Sequence, residues 1–320
     1  MDSLTRAPGD TILLGVGGKM GPSLTRMLVR ACQSIGDART ITAVSRFSNA
    51  ATREQLNQLG VKTIAGDLLH EGFIERLPDA ANVIHMTGMK FGTRSDASAT
   101  WAMNTYLPTL VCRRYDASRI AAFSTGNVYP LVPFDGPWSR ECDNLGPVGE
   151  YAMSALGRER MFEYFCQQLS IPTSLIRLNY SVEMRYGVLV DIAQQVQRGQ
   201  VIDLSMGYAN VIWQGDANAM AIASLADAST PAHVINVAGE ELLCVQEVAK
   251  RFGSLLDKEP KFTSEPAATA LLNDGSVGHQ RFGQPRVSLE QMIVWVADWI
   301  SRDQPTLGKP THFEVRSGKF

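Results

Sequence analysis

The sequence has 320 residues, of which 45% are hydrophobic and 19% charged, and its formal net charge is -2 with an isoelectric point near 6.2. This apolar content predicts a globular protein with a sizeable core, folded as one large domain or two interlocked ones. The balanced charge provides no basic field, so neither nucleic acid nor an anionic membrane surface is an expected partner.

The first predicted element is an apolar run from Thr11 that breaks into glycines at Gly15, Gly18 and Gly21 and resumes as a helical pattern. This order predicts a strand, a tight turn and the start of a helix. In a dinucleotide-binding unit such glycines allow a sharp turn, close approach of a pyrophosphate and close packing of the helix on the strand. We therefore expect the turn, including Lys19 and Met20, to bind a dinucleotide cofactor.

The first half of the chain alternates short apolar strands with helical patterns. Strands are predicted at Thr11–Val16, Ile41–Ser45, Val61–Ala65, Val83–Met86, Ile120–Ser124 and Thr173–Leu178, and helices at Pro22–Ser34, Ala51–Leu59, Ala97–Tyr115 and Glu150–Leu169. Strands separated by helices form βαβ units with right-handed crossovers. The prediction is an α/β protein with a Rossmann-type doubly wound parallel sheet, its dinucleotide-binding domain spanning residues 1–178.

After residue 178 the pattern changes to a mixture of helices and short strands. Helices are predicted at Gly187–Arg198, Asp216–Leu225, Val245–Leu256 and Ser288–Ser301, and strands at Asn210–Trp213 and Val234–Ala238. We expect residues 179–320 to form a smaller mixed α/β substrate-binding part, interlocked with the first domain. The segment from Pro305 contains proline and glycine and is expected to lie over the surface.

The end of the second predicted strand distinguishes between the two nicotinamide cofactors. A carboxylate at this point binds the ribose hydroxyls of NAD, but the sequence has Ser45 and Arg46. A serine and an arginine can hold a 2′-phosphate, which favours NADP(H), with NAD(H) possible. The alternative is an exposed arginine in a loop.

Polar residues also follow the third and fourth strands. Asp67 and Leu68 stand where an adenine could rest, although Asp67 could equally cap a turn. Gly88 and Lys90 follow the fourth strand, and Lys90 either reaches a cofactor phosphate or ribose or is a solvated lysine.

The fifth strand leads into Ser124-Thr125-Gly-Asn-Val128-Tyr129, and Tyr151-x-x-Ser154 and Arg177-x-Asn179-Tyr180 follow in order. Together with the glycine turn and Gly66-Asp67-Leu68, these motifs resemble the extended short-chain dehydrogenase/reductases, the NAD-dependent epimerase/dehydratase family. The resemblance covers nearly the whole chain. It implies an NAD(P)-dependent oxidoreductase, epimerase or dehydratase acting on a sugar, sugar acid or nucleotide-sugar.

The resemblance also implies roles for individual residues. Thr125 matches the hydroxyl that hydrogen-bonds the reacting oxygen, with Ser124 beside it, and Tyr151 matches the general acid/base. Asn104 matches an asparagine that supports the cofactor site, the alternative being an amide on the helix surface. Asn127 and Asn179 stand where family members often contact substrate. Just past the sixth strand, Arg185 is a candidate to bind a substrate carboxylate or phosphate and Tyr186 to stack on a sugar or base; the alternative is a surface arginine and a core tyrosine.

The sequence departs from the family at one catalytic position. The family places a lysine four residues after its tyrosine, one helical turn away, where the lysine lowers the tyrosine pKa and holds the nicotinamide ribose. Here that residue is Ala155. Three alternatives follow: another cation takes over, Lys90 first and Arg158 second; the chemistry needs only a proton donor; or the protein is a non-catalytic NADP(H)-binding sensor or scaffold.

Three further features of the sequence concern metal binding, cellular location and oligomeric state. The five cysteines and five histidines show neither metal-ligand nor disulfide spacing, so we expect no metal site. No apolar stretch approaches the roughly 20 residues that span a bilayer, and no signal-peptide pattern opens the sequence, so the expected compartment is the cytoplasm. The resemblance implies a homodimer formed by the helices Ala97–Tyr115 and Glu150–Leu169, the second of which is apolar around much of its surface.

Overall fold

The computed structural model describes residues 2–90 and 96–319. The strands are β1 (Thr11–Leu14), β2 (Ile41–Ser45), β3 (Lys62–Ala65), β4 (Asn82–His85), β5 (Arg119–Thr125), β6 (Val132–Pro133), β7 (Thr173–Leu178), β8 (Ser181–Val182), β9 (Val201–Asp203), β10 (Tyr208–Ala209), β11 (Ile212–Trp213), β12 (His233–Val237), β13 (Leu243–Cys244), β14 (Lys261–Thr263) and β15 (Thr269–Ala270). The α-helices are α1 (Asp2–Arg6), α2 (Gly21–Ser34), α3 (Ala50–Gln58), α4 (Glu71–Ile74), α5 (Ala97–Trp101), α6 (Leu107–Arg114), α7 (Gly149–Leu169), α8 (Val188–Gln197), α9 (Gln214–Ala223), α10 (Val245–Leu256), α11 (Ser276–Phe282) and α12 (Leu289–Ser301).

Seven parallel strands form the main sheet in the order β12-β7-β5-β4-β1-β2-β3. All six strands predicted in the first half are present, and each runs into a helix or loop that crosses back over the sheet. The strand order reverses at β1, so β2 and β4 lie on either side of it. In open α/β sheets ligands bind outside the carboxyl ends of the strands at such a switch point. The doubly wound fold predicted from the sequence is therefore confirmed.

Alternate residues of the strands face opposite layers. Leu13 of β1 belongs to an apolar cluster with residues of α2 and α9, whereas Ile12 packs with residues of α6 and α7 on the other face. Both faces are covered by helices, which explains why the strands are nearly continuous apolar runs.

The part of the chain after residue 178 contributes to both halves of the molecule. β12 pairs with β7 at the edge of the main sheet, and α9 packs against α2. The remaining helices, chiefly α8, α10 and α12, surround a second core. The residues from 179 onward thus close over the carboxyl end of the sheet while also completing it.

The expectation that the segment from Pro305 lies over the surface holds as far as Pro310, where its residues are exposed or half-buried, and is wrong from Thr311 onward. Thr311 and Phe313 are each only 3% exposed, and Phe313 belongs to the core formed by α8, α10 and α12. Burying a phenylalanine stabilises the fold by roughly 1.5–3 kcal/mol, enough to hold an irregular segment in place. Within the described residues, no helix has the length and apolar character to cross a membrane.

Candidate active site

The glycine turn between β1 and α2 has the geometry of an anion site. Gly15 has φ +91°, and a Cβ there would lie 2.6 Å from Cγ2 of Thr87; a Cβ on Gly21 would lie 2.2 Å from the carbonyl oxygen of Val16. A Cβ on Gly18 would meet only the carbonyl oxygen of Gly15, at 3.8 Å. The packing of the protein itself thus requires glycine at positions 15 and 21. Gly18 instead leaves space above the N-terminus of α2. These residues fit a dinucleotide pyrophosphate.

The predicted adenosine-side residues lie at the ends of β2 and β3. Ser45 adjoins the turn, since a Cβ on Gly17 would lie 2.4 Å from the Ser45 hydroxyl oxygen, and Arg46 is exposed. Asp67 is exposed and accepts a hydrogen bond from the amide of Leu69 at 3.0 Å. Leu68 is 5% exposed and packs in the core beneath the sheet. The structure therefore brings Ser45 to the turn and leaves Arg46 exposed beside it in the chain, whereas Leu68 serves the core.

Lys90 and Tyr151 meet at the carboxyl edge of the sheet. Lys90 follows β4, Tyr151 lies in the first turn of α7, and Lys90 Nζ is 5.9 Å from the centre of the tyrosine ring. The same ammonium group donates a hydrogen bond to the carbonyl oxygen of Thr311 at 3.1 Å. Burial lowers the pKa of Lys90 to about 8, although Asp191 and Glu314 oppose the shift. A cation thus faces the predicted acid/base.

Lys19, from the glycine turn, reaches across to the part of the chain after residue 178. Its Nζ donates to the carbonyl oxygen of Ser181 at 3.0 Å and lies 3.9 Å from the centre of the Tyr186 ring. Burial, and next the charge of Lys90, lower the pKa of Lys19 to about 7. Among the residues that the structure describes, no carboxylate lies within 4 Å of this ammonium group. Lys19 and Lys90 are hereafter called the lysine pair.

Ala155 lies on the face of α7 that packs against the protein. Its side chain is fully buried in a small cluster with Val128 and Tyr129. One turn further along, the buried guanidinium of Arg158 donates to the carbonyl oxygen of Phe123 at 2.9 Å. A Cβ on Gly88 would lie 2.5 Å from this guanidinium, so the glycine makes room for it. Burial lowers the pKa of Arg158, and the neighbouring Tyr151 opposes that shift.

Asn104 ties the Lys90 loop to α7. It lies on a π-helical turn, Ala102–Tyr106, between α5 and α6, and is fully buried. Its Oδ1 accepts hydrogen bonds from the amide of Met89 at 2.9 Å and from Arg158 at 2.5 Å. Its Nδ2 donates to the carbonyl oxygen of Met89 and to Ser154. The side chain therefore holds the loop that carries Lys90 against α7.

The predicted hydroxyl of Thr125 lies at the end of β5. Its Oγ1 accepts hydrogen bonds from the amide and the Nδ2 of Asn127, at 3.2 and 3.1 Å, which leaves its own proton to donate. Ser124 instead donates to Oε1 of Glu159 at 2.5 Å. The two neighbouring hydroxyls thus have different partners.

Beneath Ser124 lies a buried ion pair. Glu159 of α7 accepts two hydrogen bonds from Arg177 of β7, at 2.8 Å from Nη2 and 3.1 Å from Nε, and both side chains are under 5% exposed. Arg177 also donates to the hydroxyl of Tyr129 at 2.7 Å. Glu159 raises the pKa of Arg177 above its usual range despite burial. These four residues are hereafter called the Glu159 network.

The other residues proposed to contact substrate already have partners within the protein. Asn179 is 2% exposed and donates to Oδ1 of Asn210 at 2.7 Å. Arg185 forms an ion pair with Glu183 at 2.9 Å, and Tyr186 lies under Lys19. Burial raises the pKa of Tyr186 above its usual range.

The sequence interpretation missed the residues by which the last segment enters this edge of the sheet. Asp191 of α8 accepts hydrogen bonds from the amide and hydroxyl of Thr311, and Glu314 acts electrostatically on Lys90. The only signal in the sequence was the run from Pro310 to Arg316, whose mixture of aromatic and charged residues is unusual for a surface tail.

Comparison with known proteins gives the chain a family. Residues 12–201 match the model of the NAD dependent epimerase/dehydratase family. A search of curated proteins by sequence finds no match. Among solved structures, a dTDP-glucose 4,6-dehydratase from Streptomyces venezuelae with NAD bound aligns with a TM-score of 0.78 at 16% identity, over 92% of this chain and 97% of that one.

Two epimerases align similarly. A UDP-glucuronic acid 4-epimerase from Bacillus cereus gives a TM-score of 0.76 at 14% identity, over 92% of this chain and 99% of that one. A UDP-glucose 4-epimerase from Thermus thermophilus in complex with NAD gives 0.75 at 18% identity, over 90% and 98%. At these identities the likeness establishes the fold.

Proposed function

The chain belongs to the NAD-dependent epimerase/dehydratase family, and we propose that it transfers a hydride between a nicotinamide dinucleotide and a carbinol or ketone of a sugar, sugar acid or nucleotide-sugar. The observation that carries this proposal is the position of Lys90, whose ammonium group lies 5.9 Å from the centre of the Tyr151 ring. Ala155 removes the cation that the family places on α7, and Lys90 supplies one from the loop after β4.

In this proposal the chain's own groups handle the proton. Tyr151 takes the proton from the substrate hydroxyl when the carbinol is oxidised and returns it when the ketone is reduced. Thr125 donates a hydrogen bond to the same oxygen, and Lys90 stabilises the phenolate. Ser124 positions Thr125 through its bond to Glu159. When bound, the cofactor accepts or supplies the hydride.

The residues proposed to hold the cofactor surround the glycine turn. Gly15, Gly18, Met20 and Gly21 form the pyrophosphate cradle, with Lys19 contributing charge. Further contacts are assigned to Ser45, Arg46, Asp67, Gly88, Lys90 and Tyr151, while Leu68 and Asn104 support these residues from the interior without contacting the cofactor. Ser45 and Arg46 favour NADP(H), so Arg46→Asp should weaken NADP(H) binding more than NAD(H) binding, as measured by fluorescence titration. Equal losses for both would contradict the preference.

Replacing Tyr151 by Phe tests the catalytic role. Loss of general acid/base catalysis typically costs 10² to 10⁴ in rate, so kcat should fall by about that factor. The measurement is turnover on a panel of sugars, sugar acids and nucleotide-sugars by the cofactor-loaded protein, with cofactor affinity determined in parallel. Unchanged turnover by the variant would exclude Tyr151 as the acid/base.

A second candidate function is a non-catalytic NADP(H) sensor or scaffold, which the burial of Ala155 among Val128 and Tyr129 favours. Such a protein binds the cofactor and turns over none of the panel. Ala155→Lys distinguishes the two: a sensor whose site has drifted gains no activity, whereas an enzyme that uses Lys90 changes its rate or pH profile.

We also propose a homodimer through α7 and the helices between residues 97 and 114. Several exposed large apolar side chains lie here, namely Trp101, Tyr106, Met153 and Tyr164. Light scattering should give twice the 35.0 kDa chain mass, and Tyr164→Arg should reduce it to the mass of the monomer.

The proposed function also includes substrate contacts by Asn127, Asn179, Arg185 and Tyr186, and a cytoplasmic location.

A further inference from the structure

The segment Thr311–Gly318 is built into the molecule beside the proposed site. Its amide and hydroxyl at Thr311 donate to Oδ2 of Asp191 at 2.7 and 2.6 Å, and Phe313 is buried in the core around α8. The carbonyl oxygen of Thr311 accepts from Lys90. The start of the segment is therefore attached both to Asp191 of α8 and to Lys90, which follows β4.

The end of the segment is fixed just as firmly. The guanidinium of Arg316 donates to the carbonyl oxygen and to the hydroxyl of Thr269, each at 2.6 Å. Gly318 has φ +68°, and a Cβ there would lie 2.1 Å from the carbonyl oxygen of Val148. Val148 directly precedes α7, so the segment passes across the N-terminus of the helix that carries Tyr151.

Little space remains beneath this segment. A cavity of ≈ 40 Å³ lies between the end of β5 and the segment, with Asn127, Tyr129 and Tyr180 on one side and Val315 and Arg316 on the other. Sites for drug-sized ligands commonly have roughly 300–1,000 Å³. The cavity accommodates a few hydroxyl-sized groups, which is one end of a monosaccharide and much less than a nucleoside diphosphate.

Four arginines of the chain after residue 178 already have partners within the protein. A nucleoside diphosphate carries two phosphates, which proteins commonly bind with arginine forks. Arg185, Arg251 and Arg281 form ion pairs with Glu183, Glu290 and Asp227, and Arg316 is held by Thr269. The small cavity and the engagement of these four arginines both argue against a nucleoside diphosphate in the substrate.

We propose that Thr311–Gly318 fills the place of a nucleotide and restricts the substrate to a free sugar, sugar acid or polyol of monosaccharide size, with Val315 setting the limit. This inference rests on the proposed function and narrows its substrate class. The reaction remains hydride transfer at a carbinol or ketone, with the proton moving through Tyr151.

The first experiment compares two substrate panels on the full chain loaded with NADP⁺ or NAD⁺. Free hexoses, hexuronates and polyols should be turned over, with products identified by NMR, whereas UDP- and dTDP-hexoses should give neither turnover nor saturation-transfer signals. Binding or turnover of a nucleotide-sugar overturns the inference and leaves the proposed function standing. A cofactor-loaded protein that turns over neither panel refutes the proposed function, and the inference with it.

The second experiment changes the size of the cavity at Val315. Val315→Phe should raise KM for the free sugar at least tenfold while cofactor affinity stays unchanged, and Val315→Ala should admit substrates with one additional substituent. The matched control is Val294→Phe, since Val294 is an exposed valine on α12. If both phenylalanine variants behave like the parent, Val315 does not bound the substrate and the proposal fails.

Discussion

Two groups of buried charges in this protein are arranged in opposite ways. In the Glu159 network, a carboxylate and a guanidinium form a two-pronged ion pair and share hydrogen bonds with Ser124 and Tyr129. The lysine pair instead faces carbonyl oxygens and aromatic rings, and burial lowers the pKa values of Lys19 and Lys90 to about 7 and about 8.

We infer from this difference that the Glu159 network stabilises the fold, whereas the lysine pair serves ligand binding or catalysis. A buried ion costs several kcal/mol in effective desolvation unless it is well paired and hydrogen-bonded. The Glu159 network meets that condition and connects β5, β7 and α7. The lowered pKa values of the lysine pair indicate that burial still disfavours its charged forms, and strongly shifted groups of this kind cluster at functional sites. An anionic ligand between the lysines would offset this cost.

The largest expected effect comes from breaking the Glu159 network. Glu159→Ala leaves the guanidinium of Arg177 buried without its partner, and removal of one member of a buried pair typically costs about 3–5 kcal/mol. The free energy of unfolding should fall by that amount. Urea denaturation followed by circular dichroism measures it.

Glu163→Ala on the same helix is the matched control. Glu163 pairs with Arg160, whose side chain is 55% exposed. Exposed pairs of this type contribute about 0.2–1 kcal/mol. Similar losses in the two variants would mean that the Glu159 network is no more important to the fold than a surface pair.

The second-largest expected effect comes from replacing Lys90, and this variant should be more stable than the parent at low pH. Lys90→Met should lower kcat by roughly 10²-fold, because Tyr151 loses the cation that favours its phenolate. It should also raise stability at low pH. The folded-state pKa of about 8 lies below the ordinary lysine pKa of 10.5, so the charge opposes folding below pH 8 and the penalty fades as pH rises toward 10.5.

Melting temperatures of parent and variant between pH 6 and pH 10 test this sign. The variant should melt higher at pH 6, and its advantage should shrink as the pH rises. A variant that melts lower than the parent at pH 6 would show that the Lys90 charge is stabilising, and the contrast between the two groups would no longer hold.

The sequence predicted the sheet well because its strands are apolar runs separated by helices, a local pattern. It named Lys90 as the first candidate for a cation beside Tyr151, within one of three alternatives. It could not predict the bond between Asp191 and Thr311, which are 120 residues apart and meet only once Phe313 is buried. The direction of the Lys19 side chain likewise depends on packing against Tyr186.

The smallest expected effect concerns proton uptake on cofactor binding. Near pH 7 to 8 the lysine pair is partly neutral, and an anionic pyrophosphate favours the charged forms, so binding should take up a fraction of a proton. Calorimetry in two buffers of different ionisation enthalpy measures that uptake. Lys19→Met should reduce the uptake near pH 7 and weaken the cofactor about tenfold, or ~1.4 kcal/mol.

Two variants make this prediction specific to the lysine pair. Lys62→Met removes an exposed lysine on β3 and should change neither affinity nor uptake. Lys90→Met should lower the total uptake and, because it also removes the Lys90 charge that lowers the pKa of Lys19, shift the remaining uptake to higher pH. If Lys19→Met takes up as many protons as the parent, the cofactor phosphates do not lie beside Lys19. In that case we expect the substrate to relieve the penalty on Lys19, so that binding of an anionic sugar acid, but not of a neutral sugar, takes up a further fraction of a proton in the parent and not in Lys19→Met.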